Sequence, residues 1–229
     1  MKRTPLIALL FAVTITASAF AQKPAADPLA QVKDVPGLPR VLLIGDSISM
    51  GYTLPVREAL KGTANVHRPP TNCGASDNGV KQLDQWLGDG KWDVIHFNFG
   101  LHDLKYVDAT KKLVPVKDGK QLLTTEEYEK NLREIVARLK KTGAVLIWRN
   151  TTPVPEGANG RVPGDEVKYN GVALKVMKEN GIEVDDMYAF ALPQLKDIQR
   201  PKDVHYTDAG YKKLADHVAE IIRGHLKKP

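Results

Sequence analysis

The 229-residue chain has a single cysteine, Cys73. A lone thiol excludes an intramolecular disulfide and any zinc site built from cysteines. The chain also lacks a strong charge of either sign: 33 Lys and Arg stand against 27 Asp and Glu, a formal net charge of +6. Two of the cations, Lys2 and Arg3, fall in a segment patterned for removal, and without them the balance is 31 − 27 = +4. That excess is too small and too scattered to argue for nucleic acid as a partner. No internal repeat and no composition shift marks a second domain. Apolar residues at 42% and charged residues at 26% are ordinary globular proportions, which excludes a disordered, collagen-like or coiled-coil chain. The length suits one domain with a full core.

The only long apolar stretch runs from Leu6 to Ala21, behind Lys2 and Arg3. It is short for a membrane span and rich in Thr, Ala and Ser. Ala19 and Ala21 fit the small-x-small cleavage rule, so residues 1–21 read as a signal peptide cut after Ala21. No cysteine stands at the cut to accept a lipid. The expectation is a periplasmic or secreted protein with no stable membrane association once the signal is gone. Residues 22–39 are Pro/Ala-rich and aperiodic, a flexible leader, and residues 40–229 form the folded domain.

Val41-Leu42-Leu43-Ile44 is wholly apolar and ends at Gly45, the pattern of a parallel strand buried on both faces. Trp92–Phe99 and Ala144–Trp148 repeat it, while Asn65–His67 and Ile182–Val184 are weaker candidates. Between them lie helical patterns. Thr124 with Glu127 forms a capping-box signature, and Tyr128, Leu132, Ile135, Val136 and Leu139 follow at helical spacing up to Gly143. Further helices are predicted over Asp165–Asn180 and from about Thr207, the last with Tyr211, Leu214, Val218, Ile221 and Ile222 on one face. Strand–helix alternation predicts a three-layer α/β/α sandwich around a doubly wound, mostly parallel five-stranded sheet. Ligands in such sheets bind at the carboxyl ends of the strands. Lys105–Leu123 and Thr151–Pro163 follow strands and are placed to wall a site. Trp86, Trp92 and Trp148 read as core rather than as platforms for sugars.

Four short motifs fall at strand or loop ends. Gly45-Asp46-Ser47-Ile48-Ser49 follows the first strand: a serine there is either an exposed nucleophile beside backbone N–H groups or a helix N-cap. Asn72-Cys73-Gly74 precedes a helix, and its glycine either presents an N–H donor or makes a turn. Asn98-Phe99-Gly100-Leu101-His102-Asp103 ends the second buried strand. His102 and Asp103 are a base pair, oxyanion donors, or a loop with a capping Asp. Asp203-Val204-His205 precedes the last helix, as a base with its orienting acid or as plain polar loop. Asp46, Asp103 and Arg149 are candidate substrate-binding residues. A metal hydrolase built on His96, His102 and Asp103 is the outlying alternative, since that spacing matches no zinc pattern.

In order and placement these motifs resemble those of the SGNH, or GDSL-like, hydrolase superfamily, over about Val41 to the C-terminus. The resemblance implies a flavodoxin-like sandwich and no cofactor or metal. It implies Ser47 as nucleophile, His205 as base and Asp203 as the group orienting His205. Backbone N–H groups of Ser47 and Gly74, with a side chain of the third block, would hold the oxyanion. Two departures stand out. His102 occupies the place of the family's asparagine, so either its ring or the Asn98 amide supplies the third donor. The family's acid lies three residues before the histidine, where this chain has Lys202, so either Asp203 orients His205 or a Ser–His dyad operates. No Gly-x-Ser-x-Gly elbow is present, which argues against the α/β-hydrolases. The resemblance therefore implies an exported serine esterase that removes short acyl groups, acetyl above all, from a small-molecule or polysaccharide ester through an acyl-enzyme. The alternatives are a lysophospholipase or thioesterase, and a catalytically altered carbohydrate-binding protein; no long apolar lid favours the lipid reading. The residues do not specify an oligomeric state.

Overall fold

The computed structural model describes residues 27–226. The predicted signal segment and the start of the leader lie outside the described residues. Seven strands and seven helices follow one another here: β1 Arg40–Ile44, α1 Ser47–Ala59, β2 Asn65–His67, α2 Ser76–Leu87, β3 Val94–Phe97, β4 Tyr106–Val107, β5 Lys120–Gln121, α3 Thr125–Lys140, β6 Val145–Arg149, α4 Asp165–Glu179, β7 Glu183–Asp185, α5 Met187–Ala191, α6 Leu195–Ile198 and α7 Asp208–His225.

Five strands form one sheet in the order β2-β1-β3-β6-β7, with every neighbour pair parallel. Val41 to Ile44 are at most 1% exposed, as expected of a strand covered on both faces. At roughly 1.5–3 kcal/mol per large apolar side chain, burial of β1 alone is a substantial part of the driving force. Because crossovers between parallel strands are right-handed, reversal of direction after β2 sends α1 to one face and the crossover helices α2, α3 and α4 to the other. The packing agrees: α1 lies on α7, while α2 lies on α3 and α3 on α4. The switch in strand order falls between β1 and β3. Their carboxyl ends therefore diverge into a crevice, and the first and third motifs sit on its two sides.

Local chemistry sets the element ends. Thr124 Oγ1 accepts from Glu127 N–H while the Glu127 carboxylate accepts from Thr124 N–H, the capping box read in the sequence. The strand predicted from Trp92 is shorter, because only Val94–Phe97 pairs on both sides before the chain leaves the sheet at Asn98. Lys105–Leu123 holds a small β4–β5 hairpin, whose two-residue strands are too short to show alternation. Part of the predicted leader is tied down: Asn65 Nδ2 donates to Val35 O and Leu38 O, and Asp34 pairs with His67 at 2.6 Å and Arg40 at 3.0 Å.

The approach to α7 is crowded. Thr207 caps it by accepting from Gly210 N–H, and both the N–H and the hydroxyl of Thr207 donate to Ile198 O. A Cβ on Gly210 would lie 2.2 Å from that same carbonyl oxygen. In an open helix Gly→Ala gains roughly 0.5–1 kcal/mol. Gly210→Ala should instead cost on the order of 1–3 kcal/mol by overpacking. A lower urea midpoint checks this; an unchanged or raised midpoint refutes it.

Candidate active site

Asp46, not a serine, caps α1: its carboxylate accepts from Ile48 N–H at 3.0 Å. Ser47 is thereby released as the first helical residue, half-buried, with its hydroxyl unused by the helix. Ser47 Oγ lies 2.9 Å from His205 Nε2, across 158 residues of chain. Ser49 is buried and inward, with its hydroxyl accepting from Arg68 Nη1.

His205 stands on the loop before α7. Lys202 adopts a left-handed backbone, φ +57°, and turns the chain so that Asp203 faces its neighbour two residues on. One oxygen, Asp203 Oδ1, accepts from His205 N–H at 3.1 Å and from the ring at Nδ1, 2.7 Å away. A carboxylate only accepts, so the ring proton sits on Nδ1 and the Nε2 lone pair faces the Ser47 hydroxyl. Partial burial alone would push the Asp203 carboxyl up; the two bonds from His205 outweigh it and leave it below the usual carboxylate range.

The glycine loop lies against the Gly45–Ser47 turn, with Cys73 N–H donating to Gly45 O at 3.2 Å. Gly74 has φ +67° and its N–H is given to Asn72 Oδ1 at 3.0 Å. The Cys73 thiol is buried, which pushes it up to about 11 and keeps it protonated. Behind both segments runs Arg68, a residue the sequence reading missed. Its guanidinium donates to Gly45 O, Thr71 O, Ser49 Oγ and Thr53 Oγ1. It sits 3% exposed with carbonyl and hydroxyl acceptors alone, clamping the nucleophile turn to the glycine loop. Nothing in Arg-Pro-Pro singles it out; only the fold brings its acceptors together.

The third block turns at Gly100, where φ is +146° and a Cβ would fall 2.0 Å from Thr151 Oγ1. The turn delivers His102 half-buried, with Lys105 Nζ 3.4 Å from its Nδ1. An ammonium has hydrogens and no lone pair, so Nδ1 accepts and the ring proton of His102 sits on Nε2. Burial lowers the affinity of this ring for a second proton; Asp46 opposes that, while Lys105, Arg161 and His205 add to it. His102 is thus held as a neutral donor.

Several expected site residues lie elsewhere. Asn98 has no hydrogen for an oxyanion: its amide donates to Arg149 O at 2.8 Å and Phe99 O at 3.3 Å, and its oxygen takes Arg149 Nη2 at 2.7 Å. Arg149 is 0% exposed over the Tyr52 ring, inside the domain rather than at a loop mouth. It ends a central strand and is covered by α1. Asp46 and Asp103 are also buried and spent on helix starts, Asp103 Oδ1 accepting from Ser76 N–H at 2.8 Å. None of the three is open to substrate. His96 is directed to Asp185 at 2.9 Å, which also takes His217 at 2.7 Å. Among the described residues no three His, Cys, Asp or Glu side chains gather around a common point, so His96, His102 and Asp103 do not assemble. Trp148 is core, and Trp92 is 9% exposed beneath Arg40.

Comparison with known proteins bears on the family and the fold. The sequence profile of the GDSL-like lipase/acylhydrolase family matches residues 43–213. No functionally curated protein matches the chain. Among solved structures, the acetyl xylan esterase AlAXEase is 17% identical, with 80% of this chain and 99% of that one covered and a TM-score of 0.65. The lipase/acylhydrolase from Enterococcus faecalis is 18% identical, covers 84% and 99%, and gives 0.67. Axe2, an acetylxylan esterase from Geobacillus stearothermophilus, is 18% identical, covers 81% and 93%, and gives 0.62. At these identities the likeness is one of fold.

Asp103 has a measurable signature. Burial pushes its carboxyl up to about 7, against the bonds from Ser76 that lower it. An acid raised above its unfolded value takes up a proton on folding, so its contribution to stability declines as pH rises from about 4 to about 7, and the penalty is complete above that. Asp103→Asn keeps an acceptor for Ser76 and cannot ionise. The Tm difference, variant minus parent, should be more positive at about pH 8.5 than at about pH 5. Equal differences at the two pH values count against the assignment.

Proposed function

The chain belongs to the GDSL-like lipase/acylhydrolase family, and is thus a carboxylic ester hydrolase; we propose that it is a serine esterase using Ser47, His205 and Asp203. The observation that carries this reading is the 2.9 Å approach of Ser47 Oγ to His205 Nε2. A serine hydroxyl is a weak nucleophile until a base removes its proton. Ser47 Oγ attacks the ester carbonyl while Nε2 takes the hydroxyl proton. The imidazolium is stabilised by Asp203, which also fixes the tautomer. Collapse of the tetrahedral intermediate releases the alcohol, which leaves with the proton from Nε2. Water then attacks the acyl-Ser47 ester by the same route and frees the acid.

The oxyanion is assigned three donors: the N–H groups of Ser47 and Gly74, and His102 Nε2–H. Each is worth roughly 3–4 kcal/mol of barrier. Gly74 N–H exchanges its bond to Asn72 Oδ1 for the oxyanion when substrate enters. His102 supplies an N–H where the family carries an amide. Its neutral state matters, because a protonated ring beside His205 would oppose the imidazolium formed during attack.

For the substrate, we infer a short acyl group, acetyl, on a carbohydrate. Support comes from the fold shared with acetyl xylan esterases and from the polar insertion Lys105–Leu123, in which Leu113 and Val116 are the exposed large apolar residues. Such a wall offers little to a long acyl chain. Residues 1–21 are read as an export signal, residues 22–39 as its leader and residues 40–229 as the exported domain. Among the described residues no helix is long and apolar enough to cross a membrane.

Ser47→Ala should abolish p-nitrophenyl acetate turnover and labelling by a fluorophosphonate, with thermal unfolding retained. Near-normal turnover in this variant would reassign the nucleophile. His102→Ala should lower kcat by about 10²–10³ with little change in KM, as expected for a contact made in the transition state. His102→Asn should recover a large part of that loss. If instead KM rises at constant kcat in His102→Ala, the ring contacts substrate and not the oxyanion.

A further inference from the structure

The turn that carries His102 is flanked by two cations that the reaction above does not consume. Arg161 comes from the loop between β6 and α4. Its Nε donates to Leu101 O at 3.0 Å and its Nη1 to Asn159 O at 3.4 Å, which fixes the guanidinium beside the turn. Lys105 Nζ lies 3.4 Å from His102 Nδ1, one hydrogen directed at the ring. Both are half-buried. Among the described residues neither has a carboxylate within 4.0 Å, and Arg161 Nη2 makes no hydrogen bond. Other cations without a carboxylate partner, such as Lys112 and Lys117, are exposed to solvent, whereas Lys105 and Arg161 are held half-buried beside the site.

Around the pair, the negative groups are occupied. Asp46 caps α1, Asp203 holds His205, Asp103 is committed to Ser76, and Asp77 faces Lys81 and Lys111. Burial lowers the proton affinity of Lys105, and the nearby Arg161 lowers it further. Two like charges lie near each other, partly desolvated, with the neighbouring carboxylates outside salt-bridge range. A ligand anion relieves their repulsion. A fixed guanidinium gives a flat, two-point donor for oxyanions, and an ammonium adds a point charge.

We propose that Lys105 and Arg161 recognise an anionic group on the alcohol side of the ester, so that the substrate is an O-acetylated sugar bearing a carboxylate or sulfate near the scissile bond. This rests on the serine-esterase reading and narrows its substrate class. The acetyl group carries no charge, so the anion belongs to the sugar.

The test compares kcat/KM on acetylated polygalacturonate, on acetylated sulfated galactan, and on acetylated xylan free of uronic acid. At about 20 mM salt an anionic polymer should be preferred at least about tenfold, and the preference should shrink at about 300 mM. Preference for the first polymer assigns a carboxylate, and for the second a sulfate. Arg161→Gln should lower the anionic-to-neutral ratio about fivefold or more, a ratio from which any general loss of activity cancels. With the unaltered protein, oligogalacturonate or its sulfated counterpart should inhibit p-nitrophenyl acetate hydrolysis, competitively and salt-sensitively, where neutral xylo-oligosaccharide does not. If p-nitrophenyl acetate is turned over and Ser47 is labelled, yet neutral and anionic polymers are cleaved alike at both salt concentrations, the anion site is wrong and the esterase stands. If no ester is cleaved and Ser47 resists labelling, the esterase reading itself is overturned.

Discussion

The structure turns on one contact between distant parts of the chain, the hydroxyl at the start of α1 against the imidazole before α7. That contact is only as good as the packing of the two helices that carry it. Gly51 in α1 lets the Tyr211 ring of α7 approach so closely that a Cβ there would stand 2.2 Å from it. The α1–α7 seam, the Asp46 cap and the Thr207 cap therefore act on the same few ångströms of space. A serine, a histidine and an aspartate are common residues. Their chemistry here comes from helix starts fixed by two caps and from the crevice where the strand order reverses.

The cations around that contact lack direct carboxylate partners. Among the described residues, Arg68, Lys105 and Arg161 have no carboxylate in salt-bridge range. Arg68 is deeply buried and bound to carbonyl and hydroxyl oxygens, which is a costly way to hold a cation. The cost is tolerable where negative charge appears during the reaction, because a field already in place requires no reorganisation at that moment. Arg68 has a mechanical part as well, since its guanidinium joins the turn that presents the nucleophile to the loop that presents Gly74.

Much of the architecture was legible in the sequence because its signals are local. Val41–Ile44 could be read as a doubly covered strand from four apolar residues, and the Thr124–Glu127 box from spacing alone. The family was legible in a set of motifs, and the family profile over residues 43–213 accords with that. Finer assignments were not, for physical reasons. Whether Asp203 reaches His205 depends on a left-handed Lys202, a backbone state no residue identity announces. Asn98 and Arg149 looked available because strand-end polar residues often are; in the fold both are buried and bonded to each other. Arg68 was invisible because its five acceptors come from the turn after β1, from α1 and from its own loop. The short hairpin and the helices α5 and α6 carry too few residues to show a period.

The separation of Ser47 and His205 along the chain also bears on how the protein comes into being. During synthesis Ser47 emerges early, and His205 only with the final helix close behind it. A chain cut before residue 205 leaves the Ser47 hydroxyl without its imidazole, and under the proposed reading it has no hydrolytic centre. Under that reading a half-made copy is chemically silent towards the esters it meets.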